Sequence, residues 1–283
     1  MSRRKMPAWG RAAVGLAMAL ALVGPAQAQQ ADLVSRTALR VCADPANPPF
    51  SNEAGEGFEN RIAELLAERL GRELQYTWYP MAQGFVRRTL IDQRCDVIIG
   101  YAQGDELVLN TNHYYTSTHV LVTRADSDLA DATSLADPRL KGRRIGVIAG
   151  APPATHLARQ GTMDSVKGYA LMVDTRYEQP NAEMLDDLAT GEIDAAVMWG
   201  PIGGPLAKAH GDALVVTPLL AEEGPPRLYY RITMGVRPGE DIWKRELNAL
   251  IRELQPEMEA ILRDYGVPLV DDQGVALKPV AMQ

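Results

Sequence analysis

Catalytic motifs, cysteines and long hydrophobic runs are scarce in this sequence of 283 residues. It contains no Gly-x-Ser-x-Gly nucleophile elbow, no Gly-Lys-Ser/Thr phosphate loop and no dinucleotide-binding glycine fingerprint. Its four histidines lack the paired helical spacing, with a glutamate between, that zinc enzymes use. We therefore expect no enzymatic activity, no cofactor and no metal site.

The one long apolar run lies at the start of the chain and has the pattern of a secretory signal peptide. Arg3, Arg4, Lys5 and Arg11 precede the apolar residues 12–23, and residues 26–28 form a small-residue cleavage site. A membrane anchor is the alternative, but the run is shorter than the ~20 residues that cross a bilayer. We expect cleavage after Ala28 and a periplasmic location without membrane insertion.

The mature chain is acidic. The formal net charge of -7 becomes -11 when residues 1–28, which carry four positive and no negative charges, are removed. An acidic surface repels nucleic acid and anionic lipid, so neither is an expected partner. The remaining chain is long enough for two lobes that each bury a core, and we expect a monomer.

Only two cysteines occur, Cys42 and Cys95, and both lie in the mature part of the chain. Because exported proteins meet oxidising conditions, a disulfide between them is expected. Two buried free thiols are the alternative.

Strand and helix patterns alternate in two successive series, which predicts an α/β protein with two lobes. The first series is strand 39–43, a helix, strand 74–79, helix 85–91 and strand 96–100. The first helix has Glu59 in its first turn, an apolar face formed by Ile62, Leu65, Leu66 and Leu70, and Gly71 placed to end it. The second comprises strands 119–123 and 145–148, helix 154–160, a strand near 169–173, helix 182–189 and strand 193–198. A return strand at 228–236 and a helix at 243–262 complete the chain.

This order predicts two mainly parallel sheets, each flanked by helices and joined to the other by two hinge strands. The expected organisation is a signal peptide over 1–28, lobe one over 29–120, lobe two over 121–228, and a second part of lobe one over 229–283. Ligands in such sheets collect at the carboxyl ends of the strands, inside the cleft between the lobes.

Several motifs resemble those of periplasmic solute-binding proteins related to amino-acid receptors. They are Leu39-Arg-Val-Cys-Ala-Asp44, Asn47-Pro-Pro-Phe50, Gly57-Phe58-Glu59, Cys95-Asp-Val-Ile-Ile-Gly100, Tyr114-Tyr115 and Leu135-Ala-Asp-Pro-Arg-Leu-Lys-Gly142. The resemblance covers the whole mature chain in order, and it implies the type II periplasmic binding protein fold.

A narrower resemblance is to the MoxJ and XoxJ accessory proteins that are encoded with pyrroloquinoline-quinone (PQQ) methanol dehydrogenases. Its motifs are Cys42-Ala-Asp-Pro-Ala-Asn47, Gly57-Phe-Glu-Asn-Arg-Ile-Ala63, Tyr76-Thr-Trp-Tyr-Pro80, Gly84-Phe-Val-Arg-Arg-Thr-Leu90 and Trp199-Gly-Pro-Ile-Gly-Gly-Pro205. The resemblance implies a role in activating or maturing a dehydrogenase of the XoxF or MxaF type, with calcium or a lanthanide, together with its cytochrome c. The alternative is a receptor of an ABC importer for a small solute other than a free amino acid.

Both residues that amino-acid receptors use to hold their ligand are replaced. The arginine that takes the ligand carboxylate falls at about Gly104, and the aspartate that takes the ammonium group falls at Trp199. An indole offers one N–H donor and an apolar face, so it cannot replace a carboxylate.

The remaining polar and aromatic residues near the predicted strand ends are the candidates for the cleft. They are Asp44, Asn47, Phe50, Tyr101, Gln103 and Trp199. Four acidic residues lie close together in the sequence but lack the alternating ligand pattern of a calcium loop; they are Asp44, Glu53, Glu56 and Glu59. We interpret this acidic group as a solvated rim.

Overall fold

The computed structural model describes residues 33–104, 106–220 and 222–280. The predicted signal peptide, residues 1–28, lies outside the described residues. Within these ranges, no helix is long and apolar enough to cross a membrane.

Residues 38–102 build most of lobe one. Its elements are β1 (Ala38–Ala43), β2 (Ala46–Asn47), β3 (Ser51–Asn52), α1 (Phe58–Leu70), β4 (Glu73–Trp78) and β5 (Val97–Ala102). Strand β1 pairs in parallel with both β4 and β5. Helix α1 ends at Gly71, whose φ of 62° is a left-handed conformation that favours glycine, as the sequence predicted.

The middle of the chain builds lobe two and begins with β6 (Leu109–Arg124), which belongs to both lobes. Then follow β7 (Ile145–Ile148), α2 (Pro152–Arg159), β8 (Val166–Tyr169), α3 (Pro180–Thr190), β9 (Ala195–Trp199), α4 (Gly200–Ala209) and β10 (Leu214–Pro218). Strand β7 pairs in parallel with β8 and β9, and β10 pairs antiparallel with β6.

The chain then returns to lobe one through β11 (Tyr229–Val236), α5 (Asp241–Glu253) and α6 (Gln255–Asp264). Strand β11 pairs antiparallel with β5 and with the first part of β6. Because the second part of β6 pairs with β9, one sheet of nine strands runs through both lobes among the described residues. Strand β6 and the segment that enters β11 are therefore the two connections between the lobes, and the cleft lies beside them.

Apolar residues at helical spacing form the cores as predicted. In lobe one, Ile62 and Leu66 of α1 pack with Trp243 and Leu247 of α5, all almost fully buried. The predicted disulfide between Cys42 and Cys95 is present, and it lies in a smaller apolar cluster with Phe85 and Leu90.

Four predicted elements differ from the structure. The single helix expected over 243–262 is two helices, because α5 ends at Glu253 and Pro256, which cannot continue a helix, lies in the first turn of α6. The strand expected near 169–173 lies at β8, ahead of that range, and the helix expected over 85–91 includes a π-type turn at Arg87–Ile91. The crossing strand expected over 119–123 begins ten residues earlier, at Leu109.

Helix α4 and strand β10 were not predicted at all. The sequence of α4 is rich in glycine and proline, which usually interrupt helices. Its glycines allow close packing instead: a Cβ at Gly204 would lie 2.2 Å from the carbonyl oxygen of Gly266.

Candidate functional site

A cavity of about 460 Å³ lies between the lobes. Asn47 and Phe50 line it from lobe one, and Trp199 and Ile148 line it from lobe two. A second cavity of about 260 Å³ shares Phe50, Met81, Trp199 and Tyr230 with the first. We call the first the outer cleft and the second the inner pocket.

Three aromatic rings stand where the lobes meet. Trp199 ends β9 directly opposite His119 of β6, and Tyr230 lies on β11. The centroid of the Trp199 ring is 5.2 Å from that of His119 and 5.7 Å from that of Tyr230, and both pairs are edge-to-face. This geometry is favourable for aromatic pairs and fixes the indole as a wall of both cavities.

His119 is a neutral member of this group. Burial lowers the pKa of its imidazole to about 4, and Nδ1 donates a hydrogen bond to the carbonyl oxygen of Leu228 at 2.7 Å. Leu228 directly precedes β11, so this bond ties the two crossing segments together. The aromatic group at the hinge therefore carries no charge at neutral pH.

Asp44 holds the lobes together across the outer cleft. The carboxylate accepts hydrogen bonds from the backbone N–H groups of Ala46 at 2.9 Å and Met81 at 2.6 Å. The hydroxyl of Thr175, in lobe two, is 2.9 Å from both carboxylate oxygens. Gln179 adds a second link by donating to the carbonyl oxygen of Ala46 at 2.8 Å. Asp44 is thus buried, and both of its carboxylate oxygens accept hydrogen bonds.

Glu59 lies on the floor of the inner pocket. It belongs to the first turn of α1 and is only 7% exposed. The carboxyl lies against Gly100, where a Cβ would stand 2.0 Å from Oε1. Burial, and secondly the nearby charge of Asp44, raises the pKa of Glu59 to about 8.

The acidic group is therefore not the solvated rim that the sequence predicted. Glu53 and Glu56 are exposed, but Asp44 and Glu59 are buried. Asp44 is held by backbone donors that follow its strand, and Glu59 points inward because its side of α1 faces the sheet.

The structure brings most of the candidate cleft residues together. Asn47, Phe50 and Trp199 line the outer cleft, Asp44 links its two sides, and Tyr101 lines the inner pocket. Gln103 lies apart from them, in a pocket of about 920 Å³ that it shares with Gly104, Asn110, His113 and Lys244.

Sequence reasoning missed Glu59, His119 and Tyr230 as parts of this site. The sequence placed Glu59 only in the first turn of α1. Its carboxyl lies beside Gly100, where the lack of a side chain leaves room for it. His119 and Tyr230 join the site through strand pairing, since His119 is opposite Trp199 and Tyr230 is opposite Ser117.

The charges of the site do not suit a free amino acid. Among the described residues, neither cavity is lined by arginine, lysine or aspartate. Gly104, at the position of the receptor arginine, lines the separate pocket instead. A ligand carboxylate placed in the cleft would therefore have no cationic partner there.

Comparisons with known proteins agree with this architecture. Residues 39–267 match the bacterial extracellular solute-binding proteins, family 3. Protein MoxJ of Methylorubrum extorquens is 36% identical over 274 residues, which covers 88% of this chain and 90% of that protein.

Two solved structures are also similar. The periplasmic binding protein XoxJ from Methylobacterium extorquens AM1 has 45% identity and a TM-score of 0.71, over 83% of this chain and 100% of that chain. MxaJ from Methlophaga aminisulfidivorans MPT has 26% identity and the same TM-score of 0.71, over 82% of this chain and 100% of that chain.

The predicted type II periplasmic binding protein fold is confirmed by these structures, and the family is one of secreted or periplasmic proteins. The chain belongs to family 3 of the bacterial extracellular solute-binding proteins and, within it, to the group of MoxJ and XoxJ.

Proposed function

We propose that this protein is a non-catalytic periplasmic accessory protein that binds and activates or matures a PQQ-dependent methanol dehydrogenase of the XoxF or MxaF type. The similarity to MoxJ, XoxJ and MxaJ supports this role. The mature chain would begin after residue 28, with lobes over 29–120 and 121–228 and a second part of lobe one over 229–283.

The observation that carries the proposal is the apolar character of the cleft and its rim. The segment that lines the outer cleft from lobe two exposes Leu171, Met172 and Tyr177, and Tyr177 is 80% exposed. On the opposite side, Met81 is also exposed and lines both cavities. Methionine and tyrosine are effective at protein interfaces because they bury large, adaptable surfaces.

A segment of the partner protein would lie across this rim and place an apolar side chain in the outer cleft. Trp199 would be its main anchor, since buried tryptophans contribute strongly to binding at the centre of interfaces. No charge pairing is required at the centre, in keeping with the lack of arginine and lysine among the residues that line the two cavities.

The test is binding between the mature, oxidised protein and the purified methanol dehydrogenase of the same organism, by biolayer interferometry. We expect Tyr177→Ala to weaken binding about tenfold and Trp199→Ala to weaken it more. Ile242→Ala is the matched control, because Ile242 is an exposed apolar residue on α5 and lines neither cavity. Equal binding by all four proteins, or no binding by the wild type, would refute the proposal.

A second candidate is the importer receptor for a small solute other than a free amino acid. The inner pocket of about 260 Å³ favours it, because small-ligand sites are concave and mostly apolar with a few polar groups, and this pocket has such a lining. One solute should stabilise a receptor strongly, by about 2.7 kcal/mol at a hundred times its dissociation constant, and should raise its melting temperature accordingly. If the protein binds the dehydrogenase but no small solute raises its melting temperature, this candidate is excluded.

A further inference from the structure

The inner pocket contains one ionisable side chain that the proposed function does not use. Glu59 is buried to more than nine-tenths and lines the pocket. No hydrogen bond or ion pair reaches its carboxyl from any described residue, whereas the neighbouring carboxylate of Asp44 has several donors. A buried carboxyl without a partner is costly, and such groups are kept where a ligand completes them.

The space for this carboxyl depends on another residue. A side chain of any size at position 100 would collide with Oε1 of Glu59, so the glycine leaves the carboxyl room beside the pocket. Helix α1 supplies the acid and β5 supplies the space, although the two residues are far apart in sequence. The carboxyl is therefore held at a fixed place in the pocket wall.

The rest of the pocket is aromatic and apolar. Its rings belong to Phe50, Tyr101, Tyr115, Trp199 and Tyr230. Aromatic faces attract cations, most strongly where water is excluded, and they do not attract anions. Among the described residues that line this pocket, none is basic, so no resident cation neutralises Glu59.

We propose that the inner pocket binds an organic ammonium group, with the Glu59 carboxylate as its counter-ion and the surrounding rings as its walls. The ligand is an ammonium group on a short apolar stem, either a free amine or a lysine side chain. Its counter-ion comes from lobe one, whereas amino-acid receptors hold an ammonium group with an aspartate of lobe two; at that position Trp199 forms an apolar wall of the pocket. The proposal goes beyond the partner-binding role and holds whichever protein binds the rim.

Binding should be linked to the ionisation of Glu59. The titratable groups around it are acidic or phenolic, and they are Asp44, Tyr76, Tyr114, Tyr115, Tyr101 and Tyr230. Without a cation beside it, the carboxyl holds a proton at neutral pH, because its pKa is about 8. An ammonium ion would displace that proton to solvent, so its affinity should rise with pH until Glu59 is ionised.

The experiment is titration calorimetry of the mature protein with n-butylammonium, with 1-butanol as the neutral ligand of the same shape. An alkylamine stays charged up to a pH of about 10. We expect the affinity for n-butylammonium to rise about tenfold or more between about pH 6.5 and about pH 8.5. N-acetyl-lysine methylamide separates the two sources: its binding supports a lysine side chain, and binding of n-butylammonium alone supports a free amine.

Two isosteric variants make the test specific. Glu59→Gln should weaken binding of n-butylammonium at least about tenfold and abolish its pH dependence. Glu53→Gln removes an exposed carboxylate that lines neither cavity and should change neither. The thermal melting of each variant at pH 6.5 verifies that it is folded.

Three results would overturn the proposal. The first is equal binding of n-butylammonium by the wild type and Glu59→Gln, and the second is absence of binding by the folded wild type. The third is an affinity for 1-butanol that equals that for n-butylammonium and falls as the pH rises. In that case the protonated carboxyl would donate a hydrogen bond to a neutral ligand.

Discussion

Lobe one and lobe two form opposite walls of the same cleft, but they are stabilised by different means. Lobe one contains the disulfide and a buried ion network, in which Asp96 accepts from Arg237 at 2.7 Å and from Arg40 at 2.6 Å. Lobe two has neither cysteine, and its ion pairs lie at the surface, as in Arg143 with Asp128. The difference indicates that lobe one is the more stable lobe and that local unfolding of the lobe-two wall costs less free energy.

The network in lobe one is closely linked to the disulfide. Arg237 also pairs with Glu240 and donates to the carbonyl oxygen of Cys95, and the indole of Trp243 donates to the carbonyl oxygen of Asp96 at 3.1 Å. These groups fix the start of β5 against β1 and α5, which places Gly100 and Tyr101 at the end of the same strand under the cleft.

Removal of the disulfide should cause the largest loss. The cysteines are 53 residues apart, and opening a loop of this length costs about 4 kcal/mol of unfolding free energy in the chain-entropy treatment. The Cys42→Ser/Cys95→Ser variant should show this loss in urea denaturation. Reductant should lower the stability of the wild type to the same value and leave the variant unchanged. A loss below about 1 kcal/mol would show that the disulfide does not account for the greater stability of lobe one.

Removal of the central carboxylate of lobe one should have the next largest effect. Asp96→Asn keeps the shape of the side chain but leaves the buried guanidinium of Arg237 with one carboxylate fewer, at a cost of about 3 kcal/mol. Urea denaturation at neutral pH measures it. An effect as small as that of a surface pair would contradict the assignment of stability to this network.

Ionisation of Glu59 should lower the free energy of unfolding as the pH rises. Between its ordinary pKa of 4.5 and the folded value of about 8, the folded protein holds a proton that the unfolded chain has lost. The free energy of unfolding should therefore fall with rising pH in this window, by about 1 kcal/mol per pH unit near pH 6 to 7. Subtracting the curve of Glu59→Gln from that of the wild type isolates this slope, and parallel curves would contradict it.

The smallest effect should come from a surface pair of lobe two. Asp128→Asn breaks the ion pair with Arg143, in which the side chains are 57% and 39% exposed. We expect a loss of about 0.5 kcal/mol, because solvent and salt screen such pairs. Repeating the denaturation at about 1 M salt should reduce even this difference, whereas the effect of Asp96→Asn should persist.

The sequence was informative where one segment decides its own structure. The spacing of Ile62, Leu66 and Leu70 predicted α1, and Gly71 predicted its end. Export and the presence of only two cysteines predicted the disulfide. The sequence was misleading where distant contacts decide, since the glycines of α4 allow close packing against β6 and residue 266.

The candidate site was predictable only in outline. Trp199 ends β9, and Phe50 lies in the connection that follows β1, so topology placed them in the cleft. Gln103 also lies beyond a strand end, but β5 carries it past the cleft into a different pocket. Glu59 read as a surface acid because its burial depends on the missing side chain at Gly100, which no local pattern reveals.

Hydrogen–deuterium exchange of the protein alone and in complex with the methanol dehydrogenase tests directly whether the cleft receives the partner. We expect slower exchange in the complex over residues 170–181, which line and border the outer cleft, and around Phe50 on the opposite wall. Residues 108–113, which line the separate pocket, should exchange at unchanged rates. Protection confined to 108–113, with the cleft segment unaffected, would contradict the claim that the cleft receives the partner.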